Sequence, residues 1–150
     1  MSHPFPLEIL KALSQRRNDQ ATRQLGKSNR RFQDEQDKLS LLENFRKDYQ
    51  VRYDAACQQG GASDTLTNFC HFLERLDEAI HQQMGVLEQI RQQVRHHQGY
   101  VRHTHRQVQS MAVLSDRHEA REQQAQLREE QKMTDEHVGQ KTLRRILGID

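Results

Sequence analysis

Nine histidines and two cysteines are the side chains of this sequence that would first suggest a metal or redox site. Four histidines lie close together, at positions His96, His97, His103 and His105, but no two of them are four residues apart. A metal held by one helix usually needs that spacing, with cysteine or carboxylate ligands in support. We therefore expect these histidines to be solvated or packed between helices, and we expect no metal site.

The two cysteines, Cys57 and Cys70, flank the only adjacent glycine pair, Gly60-Gly61. A disulfide between them would close a loop around that pair. The sequence begins without a basic region followed by an apolar stretch, so we expect no secretory signal. Thiols of cytoplasmic proteins usually stay reduced, which favours two free cysteines over the disulfide.

Other catalytic and ligand-binding patterns are missing from the sequence. There is no glycine-rich phosphate loop, and a nucleophilic serine or cysteine would need a base and a concave pocket that long helices do not form. The Arg- and His-rich stretch 91–106 could contact nucleic acid, but a basic face on a coiled coil is more often solvated. We expect no enzymatic activity, no cofactor, no small-molecule substrate and no nucleic acid partner.

The composition points to long helices as the scaffold. Only 33% of the 150 residues are apolar, which is too few for a two-layer globular core. Basic and acidic residues are nearly balanced, 23 against 21, so charge repulsion does not favour disorder. The two prolines, Pro4 and Pro6, precede a long sequence that contains no further proline, and no apolar run is long enough to span a membrane.

A turn at the glycine pair divides the chain into two helical segments. Glycine is unfavourable inside a helix and suits a turn. We predict one domain, residues 1–150, with an all-α fold of two long helices in an antiparallel coiled-coil hairpin. The predicted parts are a first helix at about 5–58, a turn at 59–63, a second helix at about 64–134 and a partly disordered tail at 135–150.

Both segments carry a seven-residue repeat with apolar positions spaced by three and four, typical of a coiled-coil seam. In the second segment the two rows are Leu66, Leu73, Ile80, Leu87, Val94, Val101, Val108 and Phe69, Leu76, Gln83, Ile90, His97, Thr104, Met111. The first segment repeats more loosely through Leu25, Phe32, Leu39, Arg46, Tyr53 and through Leu42, Tyr49, Ala56. The seams meet when facing residue numbers sum to 122, and this register also places Leu13, Leu10 and Leu7 beside Val108, Met111 and Leu114.

Two phenylalanines near the turn lie outside this seam. Phe45 and Phe72 each occupy the position just before a seam residue, and in an antiparallel pair these two flanking rows share one side. Leu42, Phe45 and Tyr49 therefore form one stripe, and Phe72, Leu76 and Ala79 form the facing one. Exposed apolar patches of this kind are typical of partner-binding sites. The alternative is that both rings only thicken a weak seam.

Short stretches along nearly the whole chain resemble the FliJ family, small components of the bacterial flagellar type III export apparatus. The resemblance rests on stretches before and after the turn, in the family's order and spacing: Leu7-Glu8-x-Leu10-Lys11-x-Leu13, Leu25-Gly26, Leu39-x-x-Leu42, Tyr49, Gly60-x-Ala62-Ser63, Asn68-Phe69-x-x-Phe72, Leu76-x-x-Ala79-Ile80, Leu114-x-x-Arg117 and Gln131-Lys132-Met133-x-Asp135-Glu136. The family often has an aromatic residue, commonly Trp, around positions 100–103. This chain has Tyr100 and His103 there.

The resemblance implies a non-catalytic coiled coil similar to the central stalk of rotary ATPases. Its implied partners are the hexameric export ATPase FliI, the cytoplasmic domain of the export-gate protein FlhA, and export chaperones. The positions that match the family's gate contact are Lys38, Leu42, Phe45, Tyr49, Phe72, Leu76, Ala79 and Gln83. The stalk analogy would place the helix ends in the ATPase ring, with candidate contacts at Leu7, Leu10, Leu13, Arg16, Arg17, Arg117 and Arg121.

The resemblance also implies a cytoplasmic protein, peripherally associated with the inner membrane through the export apparatus. Two other hypotheses remain open on the sequence. The chain could be the related stalk protein of a virulence type III secretion injectisome, which has a similar shape. It could also be a generic coiled-coil adaptor unrelated to secretion.

Overall fold

The computed structural model describes residues 4–149, which form two long helices and no strand within that range. Helix α1 spans Glu8–Gln58, and α2 spans Ser63–Leu147. The all-α antiparallel hairpin predicted from the heptads is confirmed. The described residues form two compact units, one of residues 19–103 and the other of residues 4–18 with 104–149.

The turn between the helices is closed by the glycine pair. Gly60 has a φ of 68°, a left-handed conformation that side chains with a Cβ rarely adopt. The Gly61 amide donates to the Ala56 carbonyl at 2.9 Å, and the Gly60 amide donates to the Cys57 carbonyl at 3.3 Å. These two bonds are the Schellman arrangement that ends α1. The chain then enters α2 after one more residue, Ala62.

Residues 19–103 pack along the predicted seam. Ile90 is 1% exposed, and Leu39, Leu73 and Leu87 are also buried. Polar seam positions are paired across the helices: the Gln83 amide donates to the Glu35 carbonyl oxygen and to its carboxylate, at 2.9 and 2.7 Å. The two helices of this unit are therefore joined by alternating apolar and polar layers.

The register within this unit is the predicted one. The rings of Tyr53 and Phe69, whose numbers sum to 122, meet edge to face at 6.4 Å between centroids. The hydroxyl of Ser28 and Nδ1 of His97 are 2.7 Å apart, close to the same register. Arg46, a seam position, forms an ion pair with Asp77.

The other unit keeps the same heptad phase. Thr104 is 1% exposed, and its hydroxyl donates to Asn18 Oδ1 at 3.1 Å. These numbers also sum to 122. Ser14, in the other row of the seam, is also buried, and its hydroxyl donates to the Lys11 carbonyl of its own helix. Small and polar residues therefore fill the seam at this end of α1.

Helix α2 continues beyond its predicted end at about residue 134 and reaches Leu147. Residues 127–149 are all exposed, so interhelical packing does not hold this segment in the helix. The helix is instead stabilised by the high intrinsic helix propensity of the residues that dominate the segment. The hydroxyls of Thr134 and Thr142 donate to the carbonyls of Glu130 and Val138. Residue 150 of the predicted tail lies outside the described residues.

Candidate functional site

The surface beside the turn, in unit 19–103, contains the exposed aromatic residues that the heptads predicted. Phe45 is 47% exposed and Phe72 is 38% exposed. The Phe72 ring packs on Tyr49, with centroids 4.2 Å apart and planes tilted by 37°. We call Phe45, Tyr49 and Phe72 the aromatic patch. It combines a ring held in place by a neighbour with one that is half open to solvent.

An arginine borders this patch. The Arg52 guanidinium lies 5.3 Å from the Tyr49 ring centroid, within cation–π distance. Arginine and aromatic side chains are the residue types most often dominant in protein interfaces. Arg52 was not among the predicted site residues, although its spacing of three residues from Tyr49 on one helix could have indicated the contact.

The other predicted gate-binding residues differ in how far they are exposed. Leu76 is only 8% exposed and lies in the seam, where the heptads place it, so it supports the surface from beneath. Leu42, Ala79 and Gln83 are half-buried, and the Gln83 amide is engaged by Glu35. Lys38 is exposed and pairs with Glu35 at 2.9 Å.

The alternative for the two phenylalanines is that they only add packing contacts to the seam. This alternative describes Phe72 better than Phe45. Phe72 partly does so, because its ring covers Tyr49. Phe45 takes part in none of the ring contacts within residues 4–149 and leaves about half of its surface to water. Phe45 is therefore the member of the patch with least structural reason to be aromatic.

The three leucines at the start of α1 lie outside the seam, in the other unit. Leu7, Leu10 and Leu13 are all more than one-third exposed. They are therefore not buried in the seam, although Leu7 and its predicted neighbour Leu114 line one groove. The heptad phase continues without drift through Ala21, Asn18, Ser14 and Lys11, and residues one position away turn toward solvent.

Some of the predicted ATPase contacts come together in a surface groove. Its lining consists of Phe5, Pro6, Leu7, Leu114, Arg117, His118 and Arg121. Leu10, Leu13, Arg16 and Arg17 are exposed but do not line it. Phe5 was not among the predicted contacts. Its ring lies 5.7 Å from the His118 ring, and an aromatic residue directly before Pro6 at a helix start was the available signal.

Hydrogen bonds shift the pKa of two groups in the seam of unit 19–103. The amide of Gln83 and the ammonium of Lys38 hold the pKa of Glu35 below its ordinary value of 4.5. The thiols of Cys70 and Cys57, which both bond to the Tyr53 hydroxyl, raise the pKa of Tyr53 from 10.0 to about 12. Both cysteines are free and exposed, so the disulfide alternative is not formed.

Neither a metal centre nor a membrane span is present in the described part of the chain. No three His, Cys, Asp or Glu side chains among residues 4–149 are grouped so that they could hold an ion. Over the same residues, neither helix has a stretch with the length and apolar character needed to cross a bilayer. The candidate sites are therefore surfaces and shallow grooves of two helices.

Comparison with known proteins assigns the family. The family described as "Flagellar FliJ protein" matches residues 2–146. A protein named Flagellar FliJ protein from Salmonella typhi is 30% identical over 145 residues, covering 97% of this chain and 99% of its own length. Its namesake from Escherichia coli strain K12 is 26% identical with the same coverage. No solved structure matches the chain.

These matches extend over both helices and the turn, and they are flagellar throughout. They favour the flagellar system over the injectisome and the generic adaptor that the sequence left open. The chain belongs to the flagellar FliJ family and is a component of flagellar protein export.

Proposed function

We propose that this chain links the hexameric export ATPase FliI to the cytoplasmic domain of the export-gate protein FlhA. The aromatic patch beside the turn contacts the gate protein, and the exposed end of α1 contacts the ATPase. The chain has no catalytic step of its own in this proposal. The single observation that carries the proposal is Phe45, half exposed beside the Tyr49–Phe72 pair.

The composition of the aromatic patch supports the gate contact. Aromatic rings with an arginine at the border match the residue types that dominate protein interfaces. The rings stand at positions that flank the seam, so a partner can cover them without opening the two helices. Leu73 and Leu76, which are buried beneath, keep the surface in place when the partner leaves.

The exposed leucines and arginines at the start of α1 support the ATPase contact. Leu10 and Leu13 present apolar surface that the hairpin itself does not use. Arg16 and Arg17 follow directly, and Arg117 and Arg121 stand on α2 in the same unit. Such arginines make charge-assisted hydrogen bonds to carboxylates, the acidic side chains expected on the ring lining.

Escort of export chaperones and attachment to the cytoplasmic face of the inner membrane belong to the same proposal. Both follow from membership of the flagellar export family and from contact with a gate protein. In this proposal the chain is cytoplasmic and reaches the membrane only through its partners.

Separate variants at the two surfaces test the proposal. Changing Leu10→Ser together with Leu13→Ser should abolish stimulation of FliI ATPase activity and leave FlhA binding unchanged. Deleting residues 1–13 should have the same effect. The matched control is Leu41→Ser with Val51→Ser, because these residues are also exposed apolar residues of α1 but lie nearer the turn. Full stimulation by the first variant would refute the ATPase assignment.

A further inference from the structure

Each helix carries a glycine at one common level of the hairpin, within the unit of residues 19–103. Gly26 lies in α1 and Gly99 lies in α2, and their numbers sum to 125. Because facing residues sum to 122, the two glycines are offset by three residues, about 4.5 Å, which is less than one helical turn. Both belong to helix interiors, where glycine is less favourable than alanine.

Packing does not require either glycine. A Cβ added at Gly26 or at Gly99 would meet no heavy atom within 4 Å. Neither residue has a positive φ, since among the glycines of residues 4–149 that conformation is restricted to Gly60 and Gly148. Alanine would therefore fit at both positions and would favour the helix more strongly. The hairpin has two helix-weakening residues at one level, although its packing allows stronger helix formers there.

The seam buries little apolar surface at the same level. In residues 22–31 and 91–103 the only buried side chain is that of Ser28, whose hydroxyl is 2.7 Å from Nδ1 of His97. The large buried apolar residues of this unit lie nearer the turn and are Leu39, Leu73, Leu76, Leu87 and Ile90. Local opening costs least where few apolar contacts are buried. The level of the two glycines should therefore open more easily than the layers on the turn side.

Two cations beside Gly26 weaken α1 further. Arg23 and Lys27 are four residues apart, so their side chains are neighbours on one face of the helix. Neither forms a hydrogen bond or an ion pair within residues 4–149. Like charges at this spacing destabilise a helix, and no acidic partner offsets the repulsion here.

We propose that residues 22–31 and 91–103 are a flexible joint of the hairpin, where the two helices open and bend while the layers nearer the turn stay closed. Three features coincide in this joint: a glycine in each helix, a polar pair in the seam, and unpaired like charges. The aromatic patch lies on the turn side of the joint, so opening of the joint leaves the patch intact. The inference does not depend on the proposed partners, because its test uses this chain alone.

Amide hydrogen exchange of the full-length chain, followed by mass spectrometry, tests this proposal. Amides of the joint should exchange faster than those of residues 35–44 and 72–81, the reference segments that contain buried leucines. The double variant Gly26→Ala with Gly99→Ala should slow exchange by about fivefold in each segment of the joint, as expected for one glycine replaced by alanine in each helix. Because the added methyl groups meet no neighbouring atom, this variant should fold as the parent does.

The matched control is Gly85→Ala with Gly139→Ala. These glycines also lie inside α2 with no heavy atom within 4 Å of an added Cβ, but α1 has no glycine at their level. We expect the control to leave exchange in the joint unchanged. Three results would overturn the proposal: equal exchange in the joint and in the reference segments, no slowing by Gly26→Ala with Gly99→Ala, or equal slowing of the joint by both double variants.

Discussion

Replacing Phe45 with alanine is the sharpest test of the gate-binding surface. Phe45 is half exposed and makes no ring contact within the described residues, whereas Phe72 is packed against Tyr49 at 4.2 Å. Phe72→Ala would therefore lower both the melting temperature and the affinity for FlhA. Phe45→Ala should act mainly on affinity, which makes it the more informative change.

The size of the effect follows from the exposed fraction. Full burial of a phenylalanine side chain stabilises by about 1.5–3 kcal/mol. Since 47% of Phe45 is still exposed, a partner that covers the remainder gains about 0.7–1.4 kcal/mol. That gain corresponds to a loss of about three- to tenfold in affinity for Phe45→Ala. The corresponding loss for Phe72→Ala, which is 38% exposed, is about three- to sevenfold.

The assay is titration of the purified cytoplasmic domain of FlhA by calorimetry, with thermal melting followed by circular dichroism on the same samples. Val51→Ala is the matched control. Val51 is exposed on α1 within the same unit, but it stands on the outer face of the helix, away from the aromatic patch. We expect its Kd for FlhA to equal that of the parent chain.

Two results would refute the reasoning. Phe45→Ala could bind FlhA with the parent Kd, which would show that the patch is not covered in the complex. Alternatively, Phe45→Ala and Val51→Ala could weaken binding equally, which would show that any apolar residue of the outer surface contributes and that the aromatic patch has no special part.

Three further predictions concern the hairpin itself. The pKa of Glu35 is lower in the folded chain than its ordinary value of 4.5, so the charged form of Glu35 stabilises the fold above that pH. This stabilisation is lost as the pH falls through the folded pKa. The drop in melting temperature between pH 7 and pH 3 should therefore be smaller in Glu35→Gln than in the parent. Tyr53 should form its phenolate near pH 12 in an ultraviolet absorbance titration, and Cys70→Ala should move that titration toward 10.0; an unchanged titration would contradict the thiol contact. Spin labels at Leu13 and Val108 should be separated by little more than the interhelical distance of about 10 Å plus the label arms, and a separation several times larger would show that α1 and α2 do not lie side by side there.

The heptad arithmetic predicted the fold of α2 well because its seam is mostly apolar. Leu73, Leu87 and Ile90 are buried where the repeat places them. Even the polar member Thr104 follows the repeat, since it finds Asn18 as a partner across the seam. Periodicity also predicted the exposure of the two phenylalanines, because a position just before the seam faces the flank of the pair.

The start of α1 and the end of α2 were not predictable in the same way. At the start of α1 the apolar residues are leucines one position out of phase, while serine, asparagine and alanine hold the seam. A prediction from hydrophobicity alone assigns the leucines to the seam. The seam residues are identified only when the seven-residue repeat is continued without a shift. At the end of α2 no interhelical contact marks the boundary, so the helix extends as far as local propensity allows.

The bond between Gln83 and Glu35 has a mechanical consequence for unit 19–103. A slip of the helices by one heptad, about 10.5 Å, would preserve most apolar pairings of a coiled coil. Here it would bring Leu76 in one direction, or Ile90 in the other, to the place that Gln83 holds beside Glu35, and Gln83 would lose its acceptors. A carboxylate left against an aliphatic side chain is costly, so the polar layer opposes sliding. Under an axial push, the two helices of this unit should advance together and transmit force without shear.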